Sequence, residues 1–229
     1  MWKFVETFNT RKFTEICDDL LAPSSLVGPS LAQVTGPAGR GKSSAARFYA
    51  INNSAVIYLA PMLTRTPAMV LREICFELSG LRPARTDNCL DVIGDEMSKE
   101  RKLIIIDESD LLEIRCLELL RNVNESFACP ILLIGEDNLK RKIGTRRRLF
   151  SRVRHRLEFK PINQIDIVCL FKAALGNKIN ADVASAIHKH ALGDWRPVLN
   201  VAVALERTLK TSNLKEITLE MVNNVTKNA

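Results

Sequence analysis

Gly36-Pro37-Ala38-Gly39-Arg40-Gly41-Lys42-Ser43 fits the pattern GxxxxGK[ST], and it falls where that pattern carries meaning, between an apolar strand-like run and a helix-like stretch. Glycines at those places let the chain wrap so that its N–H groups face phosphate oxygens, and the N-terminus of the following helix adds a favourable dipole. Lys42 brings a point charge for β- and γ-phosphates, and Ser43 a hydroxyl for Mg²⁺. With glycine at about 7% of residues, the pattern arises by chance in on the order of one in a hundred chains of this length. The bland alternative is a glycine-rich turn without a ligand. Residues 36–43, with Ser44 beside them, are therefore expected to bind the phosphates of ATP together with Mg²⁺.

Outward from this loop, short runs rich in Val, Ile and Leu recur at 31–35, 55–60, 103–107 and 130–135, with a fifth at 156–159. Nearly continuous hydrophobicity over so few residues is the mark of buried parallel strands. Helix-like stretches at 42–51, 67–78, 88–99 and 114–124 alternate with them, which predicts an α/β fold with a five-stranded parallel sheet. Past Pro161 the strands stop. Stretches 164–174, 181–190, 196–209 and 219–226 carry helical spacing, with Gly176 and Gly193 as punctuation. The expected organisation is a nucleotide-binding domain over 1–160 and a small all-α lid domain over 161–229.

The run Leu103-Ile104-Ile105-Ile106-Asp107-Glu108 ends a buried strand in two acids. A carboxylate there costs free energy unless something pairs with it, and a Mg²⁺ held through water would do so. Asp107 suits the metal, and Glu108 suits the water that attacks a γ-phosphate. Acids often end strands, so this signal gains its force from the upstream loop.

The net charge of +7 is unevenly placed. Residues 140–156 hold nine Lys or Arg and no Asp or Glu, and without those nine the rest of the chain stands at about −2. One basic patch on a neutral protein is the footprint of a polyanion site. Lys140, Arg141, Lys142, Arg146, Arg147 and Arg148 can neutralise phosphates of duplex DNA without reading bases. Aromatic residues are few near them, so stacking on single strands is not indicated. The competing account is a solvated helix face.

No apolar run approaches the roughly 20 residues of a membrane span, and the start is too polar for a signal peptide, so no membrane partner and a cytoplasmic location are expected. The six cysteines are scattered without a CxxC pair and read as small buried hydrophobes. His188 and His190 point in different directions on a helix, which makes a metal pair unlikely by ligand spacing.

GPAGRGKS, then IIIDE, then Leu149-Phe150-Ser151-Arg152-Val153, then Gly193-Asp194-Trp195-Arg196 resembles the motif order of AAA+ ATPases, from about Phe4 to the end. The resemblance implies that Arg152 is a finger reaching a neighbouring subunit's ATP and that Arg196 is the lid arginine (sensor 2) on the γ-phosphate. Asp194 and Pro197 suit a helix N-terminus that would hold Arg196 near an anion. The plain alternative for Arg152 is a phosphate contact like its basic neighbours. Sensor 1 should lie near Glu136-Asp137-Asn138, where two residues are acidic; Asn138 is the expected one, and slow hydrolysis is expected with it.

Within AAA+ proteins the chain looks most like the MuB/TnsC-like family of ATP-dependent target-DNA activators of transposition. Phe4-Val5-Glu6-Thr7 ahead of a helix, the IIIDESDLL segment and Arg148-Leu149-Phe150-Ser151-Arg152-Val153 carry that likeness. It implies a homo-oligomer, ring or helical filament, formed with ATP on duplex DNA and serving a DDE transposase. It also places Arg65, in the loop after the second strand, against the DNA backbone; an exposed loop arginine is the plain alternative. The family's N-terminal helix-turn-helix domain is not expected in this chain. A replication initiator or clamp-loader-like ATPase, and a scaffold that binds ATP only to assemble, remain as alternatives.

Overall fold

Apolar runs too short for helices become strands, and helices between them cover both faces of the sheet. In this computed structural model, which describes residues 4–22, 30–60, 66–212 and 216–227, the order begins with α1 (Phe8–Leu21), β1 (Leu31–Thr35), α2 (Lys42–Ile51) and β2 (Val56–Leu59). Next come α3 (Pro67–Ser79), α4 (Thr86–Lys99), β3 (Leu103–Ile106), a 3₁₀ turn (Ser109–Leu111), α5 (Ile114–Phe127) and β4 (Ile131–Ile134). Then follow α6 (Asp137–Gly144), α7 (Arg147–Phe150), β5 (Val153–Glu158), α8 (Gln164–Leu175), α9 (Ala181–Ala191), α10 (Trp195–Ser212) and α11 (Leu219–Lys227).

The strands pair in parallel in the order β2-β3-β4-β1-β5, which puts β1 and the loop it feeds inside the sheet rather than at an edge. Alternation along each strand divides the core in two. Leu31, Ile57, Leu59, Ile104, Ile106, Ile131 and Leu133 face α3, α4 and α5. Ala32, Val34, Val56, Leu103, Ile105, Leu132 and Ile134 face α1 and α2, where Phe13 meets Tyr49 and Phe159 edge-on.

Three inner strands fall within a residue of their expected bounds, and the last strand departs further. β5 begins at Val153, not at 156, and beyond the buried Val153 its residues are half-buried or exposed. It is an edge strand with one neighbour, so it carries Arg154 and Arg156 at positions where an inner strand would be apolar. Among the cysteines, Cys169 on α8 is exposed while the other five are buried.

The chain divides into two compact units. One comprises Thr10–Pro37 and Lys42–Phe159 and holds the sheet; the other comprises Met1–Asn9, Ala38–Gly41 and Lys160–Ala229. The second unit gathers its parts through specific bonds. Asn9 Nδ2 donates to the Lys160 carbonyl at 2.8 Å while Lys160 N–H donates to Asn9 Oδ1 at 3.0 Å. Val5 packs with Ile167, Phe171, Val183, Ile187 and Val201, the core of its helices. Asn163 and Asp166 cap α8 reciprocally, each side chain accepting from the other's backbone N–H at 3.0 Å, which starts that helix sharply after Pro161.

Candidate functional site

The phosphate loop takes its shape from residues that only glycine can satisfy. Gly36 sits at φ 140°, and a Cβ there would lie 3.0 Å from the Phe159 carbonyl, so both backbone conformation and packing bar a side chain. Lys42 opens α2 and is only 8% exposed. Its ammonium donates to the carbonyls of Gly36 at 2.7 Å and Pro37 at 2.9 Å, which folds the cation back over the loop. Burial pushes Lys42 below the usual lysine value, while Glu136, Asp107, Asp110 and Asp137 pull it the other way.

Parity along β3 decides where the acids point. Leu103 and Ile105 face α2, so Asp107, next in that series, lies on the face of the sheet that α2 covers. It is 6% exposed and each oxygen accepts one bond: Oδ2 from the Tyr58 hydroxyl at 2.6 Å, and Oδ1 from the Glu108 N–H at 2.9 Å. Glu108 then turns the chain with φ 51° and ψ 35°, a left-handed conformation that lifts its exposed side chain out of the strand direction. Ser109, fully buried, closes the turn by donating its hydroxyl to the Ile106 carbonyl at 2.7 Å.

Asp110 ties this turn to the segment after β4. Its carboxylate accepts from Glu136 N–H at 3.3 Å, and its carbonyl accepts from Asn138 Nδ2 at 3.2 Å and from Lys142 Nζ at 2.7 Å. Lys142 also donates to the Leu112 carbonyl at 2.8 Å. The amide nitrogen of Asn138 is thus engaged by the acidic turn, and Lys142 staples α6 to it. Lys142→Met should destabilise the protein by about 2 kcal/mol, because two carbonyls lose a charged donor. A lowered urea midpoint would register this, and an unchanged one would show the staple to be energetically idle.

In the second unit, Trp195 N–H donates to the Gly39 carbonyl at 3.0 Å, and Arg40 donates to the Leu192 carbonyl at 3.4 Å and to that of Gly193. Gly39, at φ 76°, passes so close to the Asp194 carboxylate that any Cβ would overlap it. Asp194 Oδ1 accepts from the Arg196 N–H at 2.7 Å, so the carboxylate starts α10 with Arg196 in its first turn.

The basic run divides by partner. Lys140 pairs with Glu158 at 3.0 Å, Arg152 with Glu125, and Arg154 with Asp19, which His155 also contacts at 2.6 Å. Arg156 stacks 4.0 Å over the Phe150 ring and donates to the Phe150 carbonyl. Arg141, Arg146, Arg147 and Arg148 are exposed, and among the described residues nothing bonds their guanidinium groups. Arg65 lies outside the described residues.

Residues 27–143, just over half of the chain, match the AAA domain family. The chain belongs to that family. The chain is 32% identical over 157 residues, 63% of its length, to the ATP-dependent target DNA activator B of Escherichia phage Mu, and 27% identical over 138 residues, 59% of its length, to the Mu-like prophage FluMu DNA transposition protein B of Haemophilus influenzae. The matches cover 49% and 46% of those two proteins, so the chain spans about half the length of each. In fold it is similar to Cdc6p from Pyrobaculum aerophilum, with a TM-score of 0.71 at 15% identity over 99% of this chain and 69% of that one.

The donor set of this AAA domain suits a nucleotide with Mg²⁺. Ser43 and Asp107 offer hard oxygens, and among the described residues no group of three or more His, Cys, Asp or Glu could hold a metal ion by itself. A cation held by these two would take its remaining ligands from phosphate and water, which is the habit of Mg²⁺. Among the described residues no helix is long and apolar enough to cross a membrane. Sequence patterns passed over Tyr58, Arg47 and Glu125, since none belongs to a spaced motif, and gave Asp110, inside the IIIDESDLL segment, no role of its own; their positions come from strand register and helix packing. The one available signal was a tyrosine in an otherwise aliphatic strand, Val56-Ile57-Tyr58-Leu59.

Proposed function

We propose that the protein is an ATPase that assembles with ATP and Mg²⁺ on duplex DNA, without sequence preference, and presents that DNA to a DDE transposase. The observation that carries this reading is the 32% identity over 157 residues to a protein named as an ATP-dependent target DNA activator, in a chain whose residues 27–143 match the AAA domain family. Residues 36–44 cradle the phosphates, Lys42 neutralises the β- and γ-oxygens, and Ser43 and Asp107 hold the cation, which supplies charge neutralisation on the phosphates when bound. Glu108 orients water, with Asn138 nearby as the polar residue after β4, and Arg196 is assigned to the γ-phosphate.

The DNA surface is the exposed part of the basic run. Lys142 spends its charge on carbonyls, but the Lys140–Glu158 pair is exposed and worth about 1 kcal/mol or less, so a phosphate can displace Glu158. Arg141, Arg146, Arg147 and Arg148 then join Lys140. Binding to duplex DNA should require ATP, and log affinity should fall with log salt by about 0.9 per phosphate neutralised. Replacing Arg146, Arg147 and Arg148 with Ala should lower that slope by about 3 and weaken unrelated duplexes equally. Fluorescence anisotropy across a salt series measures both; a wild-type slope in the triple variant, or tight binding without nucleotide, would count against this surface.

A further inference from the structure

Asp107 is held from behind by a chain of donors. Tyr58 lies on β2, beside β3, in register with Ile105, and its ring packs on the face of the sheet covered by α2. From there its hydroxyl donates to Asp107 Oδ2 at 2.6 Å, the length of a charge-assisted bond. The same hydroxyl accepts from Arg47 Nε at 3.2 Å, and the Arg47 guanidinium lies 5.6 Å over the Tyr58 ring. Arg47 stands on α2, the helix that Lys42 and Ser43 begin. With one lone pair taken by Arg47, the hydroxyl proton has a single direction left, toward the carboxylate.

We propose that Tyr58, oriented by Arg47, is the positioning residue that fixes the Asp107 carboxylate for a divalent cation carried by the nucleotide. One oxygen is pinned by the Glu108 N–H and the other by Tyr58, so the carboxylate plane cannot rotate, and the lone pairs left over keep one direction. Ligand-orienting partners of this kind contribute about 10- to 100-fold to metal affinity. The chain also links the helix of the phosphate loop to the strand of the acid, so the two sets of ligands are set against each other by a bonded path.

This inference rests on the nucleotide reading above, and one experiment separates them. Tyr58→Phe keeps the ring and its packing and removes only the hydroxyl. Binding of a fluorescent ATP analogue is titrated with Mg²⁺ in wild-type and variant protein, after binding in EDTA is measured. Affinity in EDTA should be unchanged within about twofold, while the Mg²⁺ concentration for half-maximal enhancement should rise roughly tenfold in the variant. A hydroxyl that merely packs would leave that midpoint in place, and a hydroxyl that competes with the cation would lower it; either result overturns the proposal. A wild-type protein whose nucleotide binding ignores Mg²⁺ overturns the nucleotide reading along with it.

Discussion

Glu108→Gln is expected to slow ATP hydrolysis by about 10²- to 10⁴-fold while leaving ATP affinity within a few-fold of wild type. The carboxylate stands at the first turn after β3, exposed, one residue beyond the buried Asp107. Its left-handed backbone swings it away from the strand direction, and its side chain is exposed where that of Asp107 is buried. Glutamine retains the shape and loses the charge that would draw a proton from attacking water. The left-handed strain, on the order of 1 kcal/mol for a residue with a Cβ, is the same for Glu and Gln, so folding stability should not change. With hydrolysis blocked and binding intact, the ATP-dependent complex on DNA should persist long after wild-type protein has dissociated. Phosphate release and the lifetime of the DNA complex are the two measurements. Wild-type turnover in the variant would remove Glu108 from the reaction.

The sheet and the phosphate loop were legible in the sequence because their residues serve one requirement each. Gly36 and Gly39 are dictated by positive φ and close backbone approach, and the inner strands by burial on both faces. Where one residue serves two environments, the pattern blurs. β5 mixes Val153 and Leu157 with Arg154 and Arg156 because only one side of it is paired, and its start was set three residues late. The basic run is the fullest case. As a string of like charges it reads as uniform, yet the fold sends Lys142 into a carbonyl staple, Arg154 to Asp19 and Arg156 onto Phe150, and leaves a shorter exposed group. Partners such as Asp19, about 135 residues away in sequence, leave no local trace. Tyr58 was silent for the same reason: its significance depends on register with β3, which no single strand encodes.

Arg152→Ala should abolish DNA-stimulated ATP turnover, by about 10³- to 10⁵-fold if it acts as an arginine finger. Arg152 closes the turn between α7 and β5, and the Arg156–Phe150 stack steadies that turn. Its guanidinium is paired with Glu125 on α5, but side chains 46% and 31% exposed make this a pair worth about 1 kcal/mol or less. A neighbouring subunit's triphosphate would carry more charge than Glu125 and offer bidentate geometry, and the weak Glu125 pair would not hold the arginine back from it. The reading therefore demands action between subunits, and a mixing experiment isolates it. Lys42→Ala subunits lack the phosphate cation yet keep Arg152; Arg152→Ala subunits keep the phosphate loop and lack the finger. Each should be inactive alone. In mixed assemblies, verified by co-purification on DNA, an Arg152 from one should complete the loop of the other and restore part of the turnover. Arg152→Lys should not substitute, because an ammonium cannot span two phosphate oxygens in the planar fork of a guanidinium. Mixed assemblies without recovered activity would instead place Arg152 among the simple phosphate contacts of the basic run, and its loss would then show in the salt slope of DNA binding rather than in catalysis.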